Sequence, residues 1–285
     1  SKVDITATKR LYMNVPKINL DNLIIKYDRV LKECDKHYNK TDHVGSFKQN
    51  TLEEIKTIKE ENKKVVAYMA KEFEMAVSKK TKKFNNTQET GILTFQIVTG
   101  PDSGKYMRVV GPKTADFFDQ GVSGSAEYDY WVKNVMPYVK AQEGNKRTWR
   151  IQGLGYNWDN NQAPKKFIRY TTIRLKQENA RDWFHEMRND AKLKRENGYT
   201  GIRGVFALVS GGQWEITVVE PYDAHGTGLG SFGDEDFDYR DEYNEMFGWR
   251  SLRYNQIRGD AAIRDYGGQI VETLEFRPDM STSIE

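Results

Sequence analysis

Residues 202–219 carry apolar side chains on both sides of a β-hairpin, and no other stretch of the chain restricts its fold as much. Along 202–209 one side reads Ile202, Gly204, Phe206, Leu208 and the other Arg203, Val205, Ala207, Val209. Along 214–219 the sides are Trp214, Ile216, Val218 and Glu215, Thr217, Val219. Gly211-Gly212 between them is a two-residue turn signal. A sheet solvated on one face alternates apolar with polar, so two apolar faces require cover on both.

The elements around the hairpin have a definite order. A strand is predicted over 166–175 and a helix over 179–196, with Ala180, Trp183, Phe184, Met187 and Ala191 on one face and Gly198 closing it. Helices follow over 238–247 and 251–265, then a last strand over 270–278. This is the split β-α-β-β-α-β arrangement of a ferredoxin-like unit.

The first half repeats that order more loosely. Period-two alternation predicts a strand over 5–15, with Ile5, Ala7, Leu11, Met13 and Val15 on one side and Thr6, Thr8, Arg10 and Tyr12 on the other. Helical stripes at 20–38 and 51–83 predict a long hairpin of helices, separated by a loop at 39–50 where Gly45 and Asn50 act as breakers. Thr51 and Glu54 spell a capping box for the second helix, and Asn62 on its stripe suggests a break near 60–64. Strands at 91–99 and 105–110, a helix at 126–140 and a strand at 147–158 complete the half. The Asn/Asp/Pro-rich stretch 157–164 marks the internal boundary, giving units of 1–160 and 165–285.

Helices cover one face of each sheet, and the simplest cover for the other face is the sheet of the other unit. At this point the chain resembles the dimeric α/β barrel superfamily, with two units in tandem. The resemblance rests on element order over about 166–280 and the hairpin around 205–219, and more loosely on 5–158. It implies an α+β fold, a pseudo-dimeric α/β barrel with an extended helical segment in its first half, and an enclosed cavity. Members of that superfamily include monooxygenases, haem-degrading enzymes, peroxidases and dehydratases, so the shape carries no single activity.

Composition excludes several classes. The 44 basic and 41 acidic residues leave a net charge of +3, without the basic stripe of a nucleic-acid binder. Lys79, Lys80, Lys82 and Lys83 sit where cations complement a helix C-terminus. One cysteine, Cys34, permits no internal disulfide framework and no thiolate metal site. No apolar run is long enough to span a membrane. The chain begins at Ser1, which reads as a trimmed tag or a removed signal peptide. A polar, Tyr- and Asn-rich chain with a lone cysteine fits a bacterial periplasmic or secreted protein, with a cytoplasmic one as the alternative.

Candidate sites come from residue types that suit chemistry. Arg169, Tyr170, Arg174, Arg203 and Trp214 are polar or amphipathic positions on predicted strands, suited to an anionic or aromatic ligand if they face the lumen; a one-residue slip would reverse them all. His225 follows the third strand of the second unit, where an imidazole suits proton transfer or haem ligation. Asp234, Asp236, Asp238 and Glu245 fall at positions 1, 3, 5 and 12 of a calcium loop, with Glu242 at 9. Tyr239 stands where that loop needs glycine. His37 and His43 do not match zinc spacing with Cys34, and His185 reads as a surface residue. Gly228-Leu-Gly-Ser-Phe-Gly233 follows a hairpin strand and precedes acids, the wrong setting for a dinucleotide fingerprint. Arg258-Gly-Asp260 is a tripeptide common by chance.

With no acid–base or nucleophile–base pair in view, the expected function is non-catalytic binding of a small hydrophobic or aromatic ligand, or a scaffold role. A monooxygenase-like small-molecule enzyme is the alternative, and a self-assembling subunit using 20–83 as a homo-oligomer interface is the third.

Overall fold

A computed structural model describes residues 5–13, 42–87, 89–119, 124–142, 145–160, 162–224 and 229–283. The first unit runs β1 (Ile5–Met13), α1 (Asp42–Phe84), β2 (Ile92–Ile97), β3 (Tyr106–Lys113), α2 (Ala115–Asp119), α3 (Ala126–Asn134), β4 (Val139–Gln142) and β5 (Lys146–Arg150). The second runs β6 (Phe167–Ile173), α4 (Ala180–Glu196), β7 (Gly204–Ser210), β8 (Ile216–Tyr222), α5 (Tyr239–Phe247), α6 (Ser251–Ala261) and β9 (Gln269–Phe276).

The strand order is β3-β2-β9-β6-β8-β7-β5-β1, and β1 pairs back onto β3. Eight antiparallel strands therefore close into a barrel, with β4 beside the far end of β1. Within the ring, β9-β6-β8-β7 is the ferredoxin-like order of the second unit, and β5-β1-β3-β2 is the same order for the first. The units join twice, at β2–β9 and at β5–β7. The sheet of each unit is thus covered by that of the other, and the fold expected from the two apolar faces is the one observed.

Register decides which side chains face inward. Lys9 pairs with Arg108, Tyr170 with Val219 and Glu272, and Phe206 with Thr217. Phe95, Ile97, Met107, Tyr170 and Leu274 form the core cluster of the lumen. Outside the barrel, Ile173, Val205, Ala207, Ile216 and Val218 pack with Trp183 of α4. On the first unit's outer wall, Leu11 and Tyr106 pack with Phe73 and Val77 of α1. Burying one large apolar side chain contributes roughly 1.5–3 kcal/mol, so both walls are firmly held.

Several expectations need correction. Residues 42–50 are helical rather than loop, Thr51 lies inside α1 rather than capping it, and α1 runs unbroken past Asn62. Glycine costs a helix only about 1 kcal/mol relative to alanine, and tertiary packing at Phe73 and Val77 anchors the helix further along. The helix expected over 126–140 ends at Asn134; Pro137 sits in a short 3-10 turn and 139–142 is strand. The strand expected over 147–158 stops at Arg150. The hairpin turn between β7 and β8 spans 211–215, longer than two residues, with Gly211 at φ +93°. The helix expected over 20–38, with Cys34 and His37, lies outside the described residues.

Candidate ligand cavity in the barrel lumen

Inside the barrel is a cavity of about 170 Å³. Its walls are mostly apolar: Leu93 and Phe95 from β2, Met107 and Val109 from β3, Ile168 from β6 and Leu274 from β9. Thr6 and Thr8 from β1, Thr148 from β5, Thr217 from β8 and Tyr170 add hydroxyls. On β1 it is the more polar side of the alternation, Thr6 and Thr8, that turns inward. The apolar side meets the helices, as Leu11 does in the cluster under α1.

The mouth is shaped by the segment read above as a domain boundary. Trp158, Asn160, Gln162 and Pro164 line it, opposite Gly111 and Pro221. Trp158 meets Phe206 edge-on at 5.3 Å, and its indole N–H donates to Asn160 Oδ1 at 3.0 Å. A Cβ on Gly204 would stand 2.6 Å from the Trp158 ring. The glycine therefore lets the indole lie against β7, and alanine there would push it out.

The far end of the lumen carries ion pairs. Arg10 donates to both carboxylate oxygens of Glu272, at 3.1 and 2.6 Å, and also pairs with Asp102, which Lys105 shares. The Glu272 side chain is 1% exposed, and a bidentate charge-assisted pair is the arrangement that makes such burial tolerable. Glu215 meets Lys146 at 2.6 Å and Arg174 at 3.6 Å. Tyr170 stands between this floor and the cavity, with the Arg10 guanidinium 6.0 Å from its ring centre. Burial first, and then the Glu215 and Glu272 carboxylates, raise the Tyr170 phenol above its ordinary range, against the Thr217 hydrogen bond and Arg10. The phenol is thus a neutral donor, only 3.5 Å from the Thr217 hydroxyl, a weak contact that a ligand oxygen could replace.

Of the sequence-derived candidates, Tyr170 lines the cavity and Arg174 reaches the ionic floor. Arg203 lies on the outer wall, 2.6 Å from Asp190 of α4. Arg169 pairs with Glu220 at 2.5 Å, on the opposite side of β6 from Tyr170. Trp214 is 48% exposed in the β7–β8 turn. His225 lies outside the described residues. Of the five described candidates, Tyr170 and Arg174 thus share the lumen, and Arg169, Arg203 and Trp214 lie apart from it. Asp238 caps α5, accepting the Arg240 and Asp241 N–H groups at 2.8 and 3.0 Å, and Asp234 accepts from Asp236 N–H at 2.9 Å. Glu245 is exposed in α5, and among the described residues no group of three His, Cys, Asp or Glu could hold a metal ion. Arg258 of the tripeptide pairs with Asp182 at 2.8 Å within the helical layer.

A haem does not fit this lumen. A cavity of about 150 Å³ holds one benzene ring, and no histidine is among the described residues lining this one. No described helix is long and apolar enough to cross a membrane.

No protein-family model matches the sequence, and no curated protein is significantly similar to it. Among solved structures, a Lactobacillus acidophilus protein assigned as a monooxygenase is 11% identical, with a TM-score of 0.46, over 99% of this chain and 97% of that one. An anthrone oxidase-like protein is 8% identical with a TM-score of 0.43, over 97% and 92% of the two chains. A variant of the chlorite dismutase of Candidatus Nitrospira defluvii is 8% identical with a TM-score of 0.44, over 98% and 95%. Likenesses this distant carry no chemistry across, and the barrel stands on its own strand pairing.

Proposed function

We propose that the barrel binds a small, largely apolar molecule of one ring, with a single polar atom held by Tyr170. The observation that carries this reading is the cavity itself: apolar walls, a row of hydroxyls and a floor whose charges are already paired. Its volume of about 170 Å³ suits one ring with a substituent, since an apolar cavity of about 150 Å³ takes up benzene. A ligand hydroxyl or carbonyl would accept from the neutral phenol, while a charged head would meet the unsolvated wall of Phe95 and Leu274 at a large desolvation cost.

The experiment is a titration of toluene and phenol, followed by protein NMR. Both should bind, and Val109→Trp should abolish binding of both by filling the space. Tyr170→Phe should weaken phenol roughly tenfold, the size of one lost hydrogen bond, and leave toluene unchanged. Equal binding of toluene to the parent and to Val109→Trp would sink the proposal.

A second reading is an enzyme working in the same space. What favours it is a buried, protonated phenol beside an ionic floor, which could deliver a hydrogen bond to a developing oxyanion. The described lining offers hydroxyls, with Asp159 and Lys165 only at the mouth, so the chain's own part would be positioning rather than proton abstraction.

A further inference from the structure

Three cations meet on the outer wall of the first unit. Lys9 on β1 and Arg108 on β3 are direct cross-strand partners, an arrangement in which like charges destabilise a sheet. Lys80 of α1 joins them from above. All three surround the half-buried ring of Trp131 in α3: Lys9 Nζ at 5.8 Å, Lys80 Nζ at 5.9 Å and the Arg108 guanidinium at 5.4 Å from its centre. Arg108 is 6% exposed and Lys80 3%.

One carboxylate answers them among the described residues. Glu127 of α3 pairs with Lys80, which also donates to Asn85 Oδ1 at 2.6 Å. Among the described residues Arg108 reaches only the Thr81 hydroxyl, at 3.0 Å, and its Nε has no hydrogen-bond partner. A buried charged donor left unpaired, as Arg108 Nε is among the described residues, is costly to a fold, so three cations gathered around one carboxylate call for something to balance them.

We propose that Lys9, Lys80 and Arg108 form a binding site for a small oxyanion, a phosphate or carboxylate group, between α1, α3 and the outer wall of β1 and β3. The aromatic face of Trp131 holds the cations near one another, and the planar Arg108 fork, with Nε free, matches an oxyanion in two-point contact. The titrations agree with the geometry. Burial, then the neighbouring Arg108 charge, lower the Lys80 ammonium to about 8 against the pull of Glu127. Burial takes Arg108 down to about 10, with Glu127 opposing. Lys9 is lowered as well, by burial and by Arg108. Among the described residues Lys80 has Glu127, and Lys9 and Arg108 lack the ion-pair partner that an anion would bring. This site is separate from the lumen and does not depend on the ligand proposed there.

The test is titration of the intact protein with inorganic phosphate and, separately, acetate, at constant ionic strength set with chloride. Melting temperature, Trp131 fluorescence (assigned with Trp131→Phe) and the Lys80 titration are read together. At least one anion should raise the melting temperature, change the Trp131 signal saturably and move the Lys80 titration above 8. The tighter anion names the group. Lys9→Gln, a change at a half-buried position, should weaken binding roughly tenfold, as for one charge-assisted contact. Arg108→Met should remove it. If neither anion shifts any of the three signals, or if Lys9→Gln binds as tightly as the parent, the proposal is overturned; the Lys9 result stands even if Arg108→Met fails to fold.

Discussion

Beneath α4 and α5, Arg203 lies 2.6 Å from Asp190, Lys194 lies 3.2 Å from the same carboxylate, and the Tyr239 hydroxyl donates to it at 2.6 Å. Tyr156 stacks under both cations, 4.5 Å from the Arg203 guanidinium and 5.1 Å from Lys194 Nζ. Beneath α1 and α3, by contrast, Lys9, Lys80 and Arg108 crowd one indole with Glu127 as the one paired carboxylate among the described residues. Among the described residues, the same layer thus gives Arg203 and Lys194 a shared carboxylate in one unit, with Asp190 Oδ2 ion-paired though not hydrogen-bonded, and leaves Lys9 and Arg108 without one in the other. Burial would raise the Asp190 carboxyl, yet Arg203, Lys194 and the Tyr239 hydrogen bond hold it below the usual carboxylate range. A network finished within the chain is cement; one left open is where a partner from solution would enter.

The sharpest way to break that contrast is to remove the arginine from each side. Arg203→Met should destabilise the protein by about 3–5 kcal/mol, because it strips the main cation from a buried carboxylate. Denaturant unfolding at pH 7 measures it, and a loss below about 1 kcal/mol would show the network to be incidental. Arg108→Met should change stability by no more than about 1 kcal/mol in chloride buffer, in either direction, since it deletes a buried charge that has no acid of its own. A loss comparable to that of Arg203→Met would erase the distinction between the units.

The smallest effect sharpens the completed side. Burial, then Asp260 and Asp190, push the Glu186 carboxyl up to about 7. A folded-state value raised above the unfolded one means that the native protein binds the extra proton between about 4.5 and 7. Glu186 therefore stabilises the fold below about 4.5, and that contribution fades as pH rises through 7. Solvent still reaches the group, so the slope should amount to less than about 1 kcal/mol. Melting curves from pH 4.5 to 7.5 should fall less steeply in Glu186→Gln than in the parent.

Much of this architecture was legible in residue order, because alternation on 202–219 left both faces apolar and a second sheet was the simplest cover for the inner one. Half of the cavity was legible for the same reason: Phe206, Thr217 and Val219 belong to one predicted face or the other, and register alone decides which. The opposing wall was harder. Thr6 and Thr8 look solvent-facing on β1, since hydroxyls inside a barrel and hydroxyls in water give the same period-two pattern. Gly45, Asn50 and Asn62 misled in the opposite way, each a local helix penalty too small to outweigh good helix formers and distant packing. The segment at 157–164 has the composition of a linker and in space is the rim of a cavity. Neither charge cluster could be read in advance, because residues 9, 80 and 108, or 190 and 203, become neighbours only once strand pairing and helix docking are fixed.

The two seams at β2–β9 and β5–β7 carry one more implication. Either half produced alone would present two bare strands, one at each margin, with rows of N–H and C=O groups seeking partners. A half-length fragment should therefore associate with a second copy of itself, rebuilding a ring with true two-fold symmetry. In the whole chain the same union is made once, internally, and each wall is free to diverge from its counterpart.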